Sequence, residues 1–188
     1  MKRLLALVLA AGLLTACSAG KDAVVQGSSF SFVSPGGQID ITYEGAQRQT
    51  APVLSGDDLM NEGKQLSLAD FAGKVVVLNL WGQWCGPCRV EAPEMQKVAA
   101  SGVQVVGLDV RDPSRQVAQD FVRDRKLTYP SIYDPAGRTL LQLSGYPRNI
   151  IPSTIVLDKQ HRVAAVFLRE LLATDLFPVT QRLAAEPA

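Results

Sequence analysis

Apolar residues fall into three patterns along this chain, and each predicts a different kind of element. Two runs are continuous and rich in β-branched residues, 75–80 and 103–110. They read as strands buried on both faces. Other stretches alternate. Phe30 and Phe32 alternate with serines, the turn signal Ser34-Pro35-Gly36-Gly37 follows Val33, and Ile39, Ile41 and Tyr43 alternate beyond it. This predicts an N-terminal β-hairpin. Segments 154–157 and 163–168, separated by Asp158-Lys159-Gln160-His161-Arg162, predict a second hairpin. The third pattern is helical. Residues 85–100 predict a helix with Val90, Met95 and Val98 as core contacts and a kink at Pro93. Asp112-Pro113 reads as the N-cap and first turn of a helix whose apolar face holds Val117, Phe121 and Val122. A last helix is expected over about 169–185, with a break or kink near Pro178. Segments 129–133 and 139–143 flank a Pro135-Ala136-Gly137 turn, 52–60 reads as irregular, and 67–71 as a short turn or 3₁₀ segment. Strand, helix, strand, helix, hairpin and helix in that order predict an α/β sandwich around a central mixed sheet. No internal repeat and no second domain is visible.

The N-terminus is organised differently. Lys2 and Arg3 precede an apolar run of 11 residues, Leu4–Leu14. A membrane span needs about 20, so this length fits the core of a signal peptide. The run ends Leu14-Thr15-Ala16-Cys17, which resembles a bacterial lipobox. The resemblance implies that residues 1–16 are removed and that Cys17 carries lipid, leaving a mature chain of 172 residues (188 − 16). Residues 17–29 then read as a polar, lipid-anchored tether and 30–188 as the folded domain. The expected location is extracytoplasmic, attached to the cell membrane. An ordinary secreted protein is the alternative.

Composition removes several functions. Nineteen Lys and Arg against 18 Asp and Glu give a net charge of +1, and without Lys2 and Arg3 the balance is 17 − 18 = −1. That leaves no electrostatic case for binding nucleic acid. Three cysteines and one histidine can build neither a dense disulfide framework nor a histidine-rich metal site, so no metal or cofactor is expected. With Cys17 assigned to lipid, Cys85 and Cys88 remain.

Those two lie in Trp81-Gly82-Gln83-Trp84-Cys85-Gly86-Pro87-Cys88-Arg89, where a buried strand hands over to a helix. Two intervening residues at a helix start put both sulfurs within disulfide reach. The first thiol faces unpaired N–H groups and the positive end of the helix dipole, which favour a thiolate. Cys85 is therefore expected to be the exposed nucleophile and Cys88 the more buried resolving thiol, exchanging through a mixed disulfide. Pro87 stiffens the loop, and Gly86 permits close approach of a partner chain. A structural bridge would close too small a loop to constrain the unfolded chain much. Zinc would need further ligands, and His161 falls in a predicted surface turn.

Trp84-Cys85-Gly86-Pro87-Cys88 resembles the active site of the thioredoxin superfamily. The wider stretch from Val75 to Glu94 resembles its membrane-tethered TlpA/ResA/DsbE branch, and the likeness extends from about Pro52 to the C-terminus. The opening Phe30–Gly37 and the Trp81-Gly82-Gln83-Trp84 variant resemble an actinobacterial subgroup. The branch implies a thioredoxin-like fold, a central insertion within 112–146, and a cis peptide at Ile151-Pro152, where the Ile151 backbone pairs with bound peptide. Asn79 stands where thioredoxins keep a buried Asp, leaving open what assists Cys88. Glu91 either tunes the thiol, caps nearby backbone, or is a solvated surface residue. Trp84 is expected to shield Cys85 and touch substrate, with Trp81 packed beneath. The branch also implies a reductase recharged by a CcdA/DsbD-like membrane donor and acting on the haem-binding cysteines of apocytochrome c. A broader reductase or oxidase of secreted disulfides, or a redox-inert binding module, is the alternative. A peroxidase fits poorly, because its cysteine sits in a Thr-x-x-Cys setting and here Gln83-Trp84 precedes Cys85. Nothing marks a dimerisation stem, so a monomer is expected.

Overall fold

The computed structural model describes residues 29–187. The signal-peptide reading of 1–16, the lipid on Cys17 and the tether up to residue 28 lie outside the described residues. The rest forms one eight-stranded mixed sheet. Its strands are β1 (Asp40–Thr42), β2 (Ser55–Asp58), β3 (Gln65–Ser67), β4 (Val76–Trp81), β5 (Gln104–Val110), β6 (Ser131–Asp134), β7 (Ser153–Leu157) and β8 (Val163–Phe167), in the order β1-β8-β7-β4-β5-β6-β2-β3. The two continuous apolar runs are the central β4 and β5. They pair in parallel from Val76↔Gln104 to Trp81↔Asp109, and every residue of β4 is buried. β7 pairs antiparallel to β4 on its other side. The thioredoxin-like α/β fold is as expected.

The three α-helices of the described residues, α1 (Gly86–Ala100), α2 (Arg115–Asp124) and α3 (Ala173–Ala185), pack on the face that carries Val77, Trp81 and Val105. The opposite face, with Leu78, Leu80 and Leu108, is closed by Phe30, Leu54, Leu68, Leu140 and Tyr146 from irregular or 3₁₀ segments. The α1 stripe Cys88, Glu91, Ala92, Met95 and Val98 recurs at helical spacing and is buried. Pro93 sits inside α1 without ending it. Its missing N–H frees the Arg89 carbonyl four residues back, and Arg125 Nη1 donates to that oxygen at 3.1 Å.

Several expectations are corrected. The N-terminal hairpin does not form. The chain does reverse at Pro35–Gly37, where Gly36 and Gly37 have φ of 62° and 73°. However, β1 pairs with β8, while Ser29 and Ser31 bridge to Thr50 and Ser144. Phe30 and Phe32 pack edge-on against Tyr43 and Tyr146, and this burial outweighs a local ladder. Val90 is not a core contact. It is 67% exposed, one position out of phase with the buried stripe. The 52–60 stretch contains β2, and 139–142 is a 3₁₀ turn. Ser114, not Asp112, caps α2, accepting from Val117 N at 3.4 Å. α3 starts at Ala173 rather than 169, because the Leu171 N–H is bonded to the Glu91 carboxylate at 2.9 Å.

Candidate active site

β4 ends at Trp81, and after four intervening residues α1 begins at Gly86. The intervening loop is fixed at every step. Gly82 is obligatory, since a Cβ there would lie 2.8 Å from Trp84 Cε2 and 2.9 Å from the Val110 carbonyl. The Gln83 N–H donates to both carboxylate oxygens of Asp112, at 3.1 and 3.0 Å. Arg89 Nη1 donates to the Gln83 carbonyl at 2.9 Å. Trp84 Nε1 donates to the Val110 carbonyl at 2.9 Å, leaving its indole 43% exposed. Trp81 lies beneath, 5.2 Å from the Phe121 ring.

Cys85 and Cys88 form a disulfide with Cα atoms 5.3 Å apart. Cys85 is the N-cap of α1, and its Sγ accepts from the Cys88 N–H at 3.2 Å. The expectation of an exposed Cys85 is corrected: it is 3% exposed, against 2% for Cys88. The cause is the Ile151–Pro152 loop, whose peptide bond is cis and whose Ile151 carbonyl lies 3.5 Å from Cys85 Sγ. A disulfide sulfur has no proton, so this is a contact. A reduced Cys85 could donate there. Gly86 is partly exposed and Pro87 exposed.

The helix stripe carries Glu91 inward to 2% exposure, which excludes the solvated alternative. Asn79 Nδ2 donates to Glu91 Oε2 at 2.8 Å and to Thr154 Oγ1 at 3.2 Å. With the Leu171 N–H on its other oxygen, Glu91 has both oxygens occupied. Burial pushes its carboxyl up to about 7, and the hydrogen bonds from Asn79 and Leu171 oppose that rise. Strand β4 thus supplies a donor that cannot titrate, and the titratable carboxyl sits on the helix, three residues after Cys88.

Two further carboxyls escaped the sequence reading. Asp109, opposite Trp81 in the sheet register, is 0% exposed. Burial first, and the adjoining Asp112 next, push it up to about 9. It has no hydrogen-bond partner among the described residues beyond the Asp112 carboxyl it faces. Asp112 is 2% exposed and holds the loop instead of capping α2. The signal for Asp109 was a single acid inside an otherwise apolar strand run. His161 lies at the far end of the sheet, its Nε2 3.0 Å from the Phe71 carbonyl, and is not part of this site. No cluster of three metal-binding side chains occurs among the described residues.

The chain is similar to known proteins. A model of the AhpC/TSA family matches residues 48–166. The thiol:disulfide interchange protein DsbE of Pseudomonas aeruginosa is 30% identical over 140 residues, 72% of this chain and 76% of that protein. The thiol-disulfide oxidoreductase ResA of Bacillus thuringiensis is 35% identical over 106 residues, 54% of this chain and 59% of its own length. Among solved structures, a secreted thiol-disulfide isomerase from Corynebacterium glutamicum is 51% identical, with a TM-score of 0.81 over 84% of this chain and 98% of that one. A DsbF homologue from Corynebacterium diphtheriae is 50% identical, with a TM-score of 0.78 over 82% of this chain and 99% of that one. A dithiol bridged at the start of α1, on a fold shared with these proteins, makes this chain a thiol–disulfide oxidoreductase belonging to the TlpA/ResA/DsbE-like family of the thioredoxin superfamily.

Proposed function

We propose that the protein is a lipid-anchored, extracytoplasmic disulfide reductase in which Cys85 attacks and Cys88 resolves. The observation that carries this reading is the position of Cys85 Sγ, which touches both the Cys88 N–H and the Ile151 carbonyl. The first contact favours a thiolate. The second sets the sulfur beside the backbone edge where an extended client segment would pair. The Cys85 thiolate attacks one sulfur of the client disulfide, whose S–S bond breaks, and the leaving sulfur takes a proton. Deprotonated Cys88 then attacks the Cys85 sulfur of the mixed disulfide and expels the second client thiolate, which is protonated in turn. The client gains two electrons and two protons, and the protein is left with the Cys85–Cys88 bridge. Glu91, near 7 and held by Asn79, suits the proton acceptor for Cys88. Trp84 covers the loop, and Gly86 and Pro87 keep the approach open and stiff.

In this reading residues 1–16 are cleaved, Cys17 carries lipid, 17–29 is the tether and 30–188 the working domain. A CcdA/DsbD-like membrane donor restores the dithiol, and the clients are apocytochrome c haem-binding cysteines. Cys88→Ser should accumulate a mixed disulfide with a bridged peptide, and Cys85→Ser should form none; trapping through Cys88 instead would reverse the roles. In a deletion strain, apocytochrome disulfides should persist longer than in the parent. Equal persistence rejects that client.

A second reading is an oxidase or isomerase of secreted disulfides; its isomerase form is favoured by the Corynebacterium glutamicum protein, a thiol-disulfide isomerase at 51% identity. The Cys85–Cys88 potential in glutathione buffers separates the two. A strongly negative value supports the reductase, and one near that of a strong oxidant, about −120 mV, supports the second reading.

A further inference from the structure

Six arginines among the described residues, Arg48, Arg115, Arg123, Arg162, Arg169 and Arg182, have carboxylate partners. Arg89, Arg111, Arg125, Arg138 and Arg148 have none among the described residues. Four of these five are joined around the dithiol, and all four are exposed. Arg89 is bonded to the Gln83 carbonyl, and its Nη2 lies 3.8 Å from where a Cβ on Gly86 would stand. Arg125 donates to the Arg89 carbonyl. On the other side, the Arg111 guanidinium lies 5.9 Å from the centre of the Trp84 ring and donates through Nη2 to the Arg148 carbonyl. Arg148 stands four residues before Pro152. Arg138, the fifth, bonds to Asp134 through its backbone N–H.

The guanidinium groups of Arg89, Arg111 and Arg125 are anchored by backbone carbonyls, and Arg148 supplies one of those carbonyls. Arg89 and Arg111 each commit one of five N–H donors, so the rest of each fork is free for a carboxylate. The carboxyls closest in the chain to Arg89 and Arg111 make no ion pair with them, and Asp124, next to Arg125, is exposed and makes none with it. Asp112 is buried with both oxygens on the Gln83 N–H, Asp109 is buried opposite Trp81, and Glu91 is buried against Asn79 and Leu171. With a net charge of only +1, the chain does not owe this patch to general basicity.

We infer that Arg89 and Arg111, with Arg125 and Arg148 behind them, form a cationic rim that selects protein segments whose cysteines are flanked by Asp or Glu. Charge placed there speeds encounter and orients the segment more than it raises final affinity. It acts at ranges that salt cuts to about 8 Å at physiological strength. The inference rests on the dithiol reading and names the substrate class for it.

The test uses three disulfide-bridged peptides with one Cys-x-x-Cys core and flanks of Glu, Ser or Lys, and the reduced protein. The second-order exchange rate should fall in the order Glu, Ser, Lys. The Glu-to-Lys ratio should be about tenfold at low ionic strength and shrink steadily as salt is added. In Arg89→Gln/Arg111→Gln that ratio should collapse toward one, whatever happens to the absolute rates. Equal rates on the three peptides, or a ratio that survives the double substitution, overturns the inference. Binding of Cys→Ser versions of the same peptides to the oxidised protein, followed by fluorescence anisotropy, reads the rim without thiol chemistry. The same order is expected, and its absence also overturns the inference. If no peptide exchanges yet the binding order holds, the dithiol reading fails and the rim stands.

Discussion

At the end of the sheet where β7 turns into β8, Arg48 is 8% exposed and is bonded to Asp158, Glu186 and Glu44. At the opposite end Glu91 and Asp109 are at least as buried, and no cation is bonded to either. The two ends treat burial in opposite ways. Burial alone would raise Asp158, but the backbone N–H and guanidinium of Arg162, together with Arg48, hold it below its ordinary value. Glu91 and Asp109 have no such compensation and are pushed up. A paired buried charge ties chain segments together, here the C-terminal Glu186 to Arg48 near the start of the domain. A buried carboxyl without a cation is a proton store; Glu91 lies three residues after Cys88 on α1, and Asp109 is opposite Trp81 at the end of β4.

Arg48→Ala should break the contrast most severely. It unties Glu186 and takes one of two arginines from Asp158, which keeps Arg162, and should cost about 3 kcal/mol in urea unfolding. The exchange rate of the folded fraction should stay within about twofold, because the latch is remote from Cys85. Unfolding that is unchanged would mean that the pair carries no stability.

Glu91 comes next. Its native value lies above its unfolded one, so the native state holds the extra proton between them. Stability is therefore present at low pH and is lost as pH rises from about 4.5 to about 7. That loss is about 3 kcal/mol at 1.36 kcal/mol per unit. Glu91→Gln should remove this fall and also the inflection near 7 in the exchange rate. An inflection that persists assigns the proton to another group. Asp109 obeys the same sign over a higher window. Between about 7 and about 9 it alone of the two still titrates, so Asp109→Asn should remove a residual loss of about 2–3 kcal/mol measured across that range. Gly82→Ala should cost about 1–2 kcal/mol by overpacking and shift the Trp84 fluorescence as the indole leaves Val110. Val90→Ser, on the exposed side of α1, should stay within about 0.5 kcal/mol by thermal melting, and a larger loss would put Val90 back in the core.

The elements legible in the sequence were those whose evidence is local. β4 and β5 announce themselves by continuous β-branched runs, and the cysteine pair by its spacing at a strand-to-helix junction. The errors were non-local. At the N-terminus both the alternation and the turn were real, yet β1 pairs with β8, more than a hundred residues away in sequence. β2, Ser55-Gly56-Asp57-Asp58, has no apolar residue to reveal it. Gly56 is required because a Cβ there would meet Ile132 Cγ2 at 2.7 Å, a neighbour only the folded sheet supplies. In α1 the phase was set by Cys88 and Glu91, so a carboxylate faces in and Val90 faces out, against hydrophobicity taken alone. Asp112 illustrates the same limit within the site. Its position before α2 suggests a cap, and only the folded loop shows its partner to be the Gln83 N–H.

The described chain enters at Ser29, which bridges to Thr50, and Thr50 in turn bridges to Arg162 beside the β7–β8 turn. Cys85 lies past the opposite end of β4, so six strand residues separate the two poles, a span of about 20 Å. With lipid on Cys17, as proposed, the tether would join the body at the pole opposite the dithiol. A soluble client meets it directly. A membrane donor of the proposed kind would reach it by reorientation of the body on that leash. Reorientation then becomes a step of the working cycle, and the rates of reloading and of client exchange should respond differently to the length of that leash.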